Sequence, residues 1–139
     1  MLSREFAGGS GRFRPLYRQT LLLGAGMAAL AGLPVLAGSP WVLAVYHPGM
    51  KGHSVTVALL ILSGIVQVPG WIATVAASST GRAWTCLFLQ GIWAAATLVP
   101  AWWLIPRLGA LGLACSLMIG YSIHTAVSFL AVGSGGASR

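Results

Sequence analysis

Residues able to do acid, base, nucleophile or metal chemistry are few in this 139-residue chain: three histidines, two cysteines and a single acidic residue, Glu5. His47 and His53 flank Lys51, but no cysteine or carboxylate accompanies them, so no metal site is expected there. Cys86 and Cys115 each lie within an apolar stretch, where they read as small packing residues and suggest no disulfide framework. The sequence carries no nucleophile elbow, phosphate-binding glycine loop, zinc-protease motif or carboxylate pair, and "AGGSG" near its start lacks the strand context of a dinucleotide fingerprint. The expectation is a protein that is not an enzyme and holds no cofactor.

What remains is uncharged polarity, placed by spacing. Thr56, Ser63, Gln67, Gly70, Thr74 and Ser78 recur at intervals that put them along one side of an α-helix. Gln67 is the informative member, because a carboxamide facing lipid would leave several hydrogen-bonding positions unpaired. It should face protein, through an interhelical hydrogen bond, or line a polar cavity. Gly112, Ser116, Gly120, His124 and Ser128 form an i, i+4 series, whose small members let another helix approach closely. His124 has three readings: a bond across helices, a place near headgroups, or a part in transport or switching. Cys86, Gln90, Ala94, Thr97 and Ala101 make a third stripe, with Gln90 and Gln67 at different depths, so that their pairing does not follow from the sequence. No charge lies on any of the three rows, and a proton or ion pathway has little to act on.

The elements that position these rows are membrane helices. The chain is 57% hydrophobic and 6% charged, with a mean hydropathy of +0.85, whereas roughly a quarter of the residues of a soluble domain are charged. A net charge of +7 would suit nucleic acid if it were clustered, but Arg4, Arg12, Arg14 and Arg18 precede the first apolar stretch while Lys51, Arg82, Arg107 and Arg139 are scattered singly. That is a topology signal, and membrane lipids are the natural partner, not nucleic acid. The expected organisation is a basic cytoplasmic lead-in over about 1–18, a transmembrane domain over about 19–132, and a flexible tail over about 133–139. Its four helices are expected at about 19–46, with an interruption at Gly38, Ser39 and Pro40, then about 54–78, 84–105 and 110–132. A rival reading of the first stretch is a signal peptide ending near "LAGS". Short connections make helices two, three and four successive antiparallel neighbours. An N-in, C-in orientation puts six basic residues inside and leaves Lys51 and Arg107 outside. Trp41, Tyr46, Trp84, Trp102 and Trp103 fall near the helix ends, as interfacial aromatics do.

In order, "FRPLYRQT", "SPWVLAVYHPGM" and "ASSTGRAWTCLFLQGIWAAATLVPAWWLIPRLGALGLACSLMIGYSI" resemble the C-terminal part of polysaccharide biosynthesis membrane proteins, the O-antigen and exopolysaccharide flippases of the multidrug/oligosaccharidyl-lipid/polysaccharide exporter superfamily. The resemblance implies an all-α, polytopic fold whose four helices correspond to the last four of a two-lobed flippase. It implies a polyprenyl-diphosphate-linked oligosaccharide as the substrate, moved between leaflets of the bacterial cytoplasmic membrane by alternating access during cell-surface polysaccharide or lipopolysaccharide assembly. Under this reading Arg18, Arg82 and Arg107 are candidate headgroup or substrate contacts, since guanidinium pairs with phosphate. Ser63, Gln67, Thr74, Gln90, Ser116 and His124 form the polar faces, and Gly112, Ser116 and Gly120 the packing seam. The chain is then expected to be a fragment, completed by an N-terminal part of the transporter or by self-association. Two alternatives stand beside it. One is a small non-catalytic membrane subunit or scaffold, assembled through the small faces of helices two and four. The other, a small multidrug-type transporter, is disfavoured by the missing membrane carboxylate.

Overall fold

The computed structural model describes residues 13–46, 53–79 and 81–134. Among them four α-helices follow in order: α1 (Phe13–Tyr46), α2 (Ser54–Ser79), α3 (Ala83–Leu108) and α4 (Ala110–Ser134). Arg4, Glu5, Arg12, His47, Lys51 and Arg139 lie outside the described residues, as does the tail from position 135. Each helix holds a span long and apolar enough to cross a membrane: Tyr17–Val45, Ser54–Ser78, Ala83–Leu108 and Ala110–Ala131. The shortest of these, 22 residues, is about 33 Å long at 1.5 Å per residue, against a hydrocarbon core of about 30 Å.

Prolines test these helices most severely, since each removes an N–H from the ladder. The interruption expected at Gly38, Ser39 and Pro40 does not break α1. Pro40 cannot donate to the Leu36 carbonyl four residues back, and the Ser39 hydroxyl donates to that carbonyl instead, at 2.8 Å. In α2, Pro69 weakens the ladder beside Val66, and Thr125 Oγ1 of α4 donates to the Val66 carbonyl at 2.8 Å. Reversals between helices use glycine where the backbone turns left-handed. Gly81 (φ 76°) follows α2, and Gly109 (φ 56°) alone joins α3 to α4, its N–H donating to the Ile105 carbonyl at 2.8 Å.

Close approaches at glycine fix the register. A Cβ on Gly24 would lie 2.8 Å from Ile72 Cδ1 and one on Gly32 would lie 3.0 Å from Ile61 Cγ2, so α1 runs antiparallel to α2. Gly120 meets Thr97 and Gly112 meets Leu104, which sets α3 antiparallel to α4. α4 inserts between α2 and α3, and α1 packs on the side of α2 away from α4. The expectation of successive neighbours therefore holds for α3 and α4, whereas α2 and α3 each pack chiefly on α4. Connection length orders the chain but does not decide which faces are small enough to meet.

The interior is built from small side chains, among them Ala73, Ala76, Ala77, Ala101 and Ala114, with Leu89 the largest fully buried one among the described residues. Leu23, Leu30, Phe88, Leu98 and Trp102 point outward. In water that arrangement would forfeit the burial energy that folds a soluble domain. In lipid, where tails are as apolar as leucine, helices associate through close packing of small residues and leave large ones to the bilayer.

Candidate functional site

A cavity of about 60 Å³ lies at the junction of α2, α3 and α4, lined by Gln67, Trp71, Gln90, Trp93 and His124. Helical spacing supplies the pairs: Gln67 and Trp71 are four apart on α2, Gln90 and Trp93 three apart on α3. Gly70 admits the fifth member. A Cβ there would sit 2.9 Å from His124 Nδ1 and 3.1 Å from Thr125 Cα, so glycine lets α4 carry its imidazole against α2. Trp93 is also stacked on Tyr121 of α4, the two rings 5.8 Å apart with an interplanar angle of 22°.

The polar atoms here are incompletely paired. Trp93 Nε1 and both ring nitrogens of His124 are buried without a hydrogen-bond partner, and Thr97 Oγ1 and Ser128 Oγ share that condition nearby. His124 as a whole is only 4% exposed. Each buried orphan costs about 1–3 kcal/mol, and at membrane depth no bulk water compensates. Between them the lining residues present hydrogen-bond donors, acceptors and two indole faces, with no charge.

Three other polar residues singled out from the sequence are satisfied locally. Ser63, Thr74 and Ser116 donate to carbonyls of their own helices, those of Leu60 (2.8 Å), Gly70 (2.9 Å) and Gly112 (2.8 Å). Gly112 is the point at which α4 touches the backbone of Leu104, and Gly120 that at which it touches Thr97. Arg18, Arg82 and Arg107 are exposed, and none lines the cavity. The antiparallel order puts Arg18 and Arg82 toward one end of the layer and Arg107, stacked 5.5 Å over the Trp103 ring, at the other. Among the described residues no three histidine, cysteine or acidic side chains come close enough to hold a metal ion. Trp71 and Trp93 are the lining residues that sequence reasoning missed, and Thr125, which bonds across to α2, is a third position it did not single out. The signal for the first two was available, as each lies one turn from a glutamine on the same face.

These observations define the class: an all-α, multi-pass membrane protein with an uncharged polar pocket among three of its helices. No protein-family model matches the chain, and neither curated proteins nor solved structures give a match.

Proposed function

We propose that the chain forms one wall of a transporter that carries a lipid-linked oligosaccharide, a polyprenyl-diphosphate sugar, across a bacterial cytoplasmic membrane for cell-surface polysaccharide assembly, without covalent chemistry. The observation that carries this reading is the pocket. Gln67, Gln90, Trp93 and His124 bring uncharged donors and acceptors from three helices to one cavity, and Trp93 Nε1 and both His124 ring nitrogens are buried beside it without a partner among the described residues. The sequence resemblance supplies the substrate class. A polar notch between helices suits the sugar while the polyprenyl tail stays in lipid, and Arg18, Arg82 and Arg107 at the helix ends suit phosphate at either surface. With both termini cytoplasmic, Arg18 and Arg82 lie on the inner side.

The scaffold reading loses its expected contact surface, since the small faces of α2 and α4 are occupied within the chain by His124, Thr125, Leu104 and Thr97. Complementary helices have another place to pack: an apolar groove of about 780 Å³ on α3, beside Trp84, Phe88, Gly91 and Ala95.

Photolabelling tests the proposal. A polyprenyl-diphosphate sugar with a diazirine on the sugar, reconstituted with the chain in liposomes, is expected to label the stretches around Gln67–Trp71 and Gln90–Trp93, with competition by unlabelled substrate. Labelling spread over α1 and the outer face of α3, as a diazirine phospholipid would give, contradicts it.

A further inference from the structure

We infer that the pocket of Gln67, Trp71, Gln90, Trp93 and His124 takes a neutral, hydroxyl-bearing group such as one edge of a sugar ring, and rejects anions. Charge is the first argument. No cation lines the cavity, and Arg82, eight residues before Gln90 on the same segment, is about 12 Å away along the axis. An anion placed there would lose its hydration without gaining a counter-charge, a cost that a neutral hydroxyl avoids.

Hydrogen-bond matching is the second. The Trp93 indole is a donor only, a neutral imidazole offers one donor and one acceptor, and each carboxamide offers both. A hydroxyl also donates and accepts, so it matches the mixed donor and acceptor character of the two carboxamides, the indole and the imidazole that line the cavity. Shape is the third. On the scale where one water needs about 15 Å³, the cavity of about 60 Å³ has room for roughly four waters, the size of part of a pyranose ring and not of a whole oligosaccharide. The indole faces of Trp71 and Trp93 are electron-rich surfaces against which the C–H face of a sugar ring can lie.

For its biological ligand this inference rests on the transport reading, naming the sugar and not the diphosphate as the part held in the pocket. Occupancy is nonetheless measurable without transport. The chain, with tryptophan indole nitrogens labelled and the Trp93 signal assigned by Trp93→Phe, is placed in phosphatidylcholine nanodiscs. Three arms follow: methyl β-glucoside in solution, a monoglucosyl diacylglycerol in the bilayer, and inorganic phosphate. A saturable shift of the Trp93 indole signal with either sugar, and none with phosphate, is expected. The arm that responds tells whether the sugar arrives from water or from lipid. Because Gln90 is exposed, Gln90→Ala should leave the helical circular dichroism intact while weakening the sugar response about tenfold, the loss of roughly 1.4 kcal/mol of hydrogen bonding. Gln67→Leu provides a second variant with the same expectation. No saturable shift with either sugar, an equal shift with phosphate, or an unchanged response in folded Gln90→Ala would overturn the inference, whereas failure of photolabelling by the diphosphate substrate beside intact sugar binding would sink only the transport reading.

Discussion

At the residue scale, the most exacting positions are glycines whose missing Cβ brings helices together. A methyl group on Gly112 would strike the carbonyl of Leu104, which is backbone and cannot rotate away. On Gly120 it would strike Thr97, whose side chain can turn although its Cα is also near, at 3.3 Å. Gly91 on the outer face of α3 has open space beside it. Thermal unfolding in nanodiscs should therefore rank Gly112→Ala as the most damaging, by about 2–3 kcal/mol of overpacking, with Gly120→Ala intermediate. Gly91→Ala should be neutral or stabilising by up to about 1 kcal/mol through helix propensity. Equal effects at Gly91 and Gly112 would mean that α3 and α4 do not meet at Leu104. The small residues behind this ranking were legible in the sequence, because i, i+4 spacing alone places Gly112, Ser116, Gly120, His124 and Ser128 on one face, and all five are buried. The pocket was not legible. Bringing Gln67, Gln90 and His124 together requires knowing that α4 lies between α2 and α3, and at what height, which spacing within a helix does not contain.

At the element scale, the helices differ in how firmly they are held. α4 is held on two sides, by α2 and α3, and buries the polar side chains of Ser116, His124 and Ser128. α1 packs mainly on α2, and none of its most apolar stretch is buried within the chain. Its continuity through Pro40 rests on Ser39, a single hydroxyl replacing a lost backbone donor, which is why a sequence reading that sees Gly-Ser-Pro expects a break. α1 should consequently detach as a unit. Gly24→Leu with Gly32→Leu would push Ile72 and Ile61 aside and abolish a disulfide between Ala28→Cys, one turn from both glycines, and Ile65→Cys on the face of α2 that meets α1. The unfolding midpoint of α2–α4 should change by the equivalent of less than about 1 kcal/mol, as expected for sites that do not share partners. Loss of the whole fold together with the disulfide would show that α1 is an integral part of the core.

At the scale of the whole molecule, helix lengths, outward-facing large side chains and a small-residue interior describe a wall set in lipid. Within that wall, about 12 Å along α3 from Arg82, sits an uncharged pocket lined by residues with unpaired donors and acceptors, and its role turns on whether solvent and polar ligands reach it. Thiol accessibility answers this directly, because a cysteine reacts with a water-soluble maleimide as the thiolate, which forms in water and not in hydrocarbon. In a background with Cys86→Ala and Cys115→Ala, Gln90→Cys at the pocket would be compared with Leu98→Cys two turns further along α3, an apolar position 67% exposed on the outer surface of the chain. Gln90→Cys is expected to react at least about tenfold faster than Leu98→Cys in intact proteoliposomes. Equal, slow labelling at both positions would contradict it, leaving the pocket a dry joint between helices.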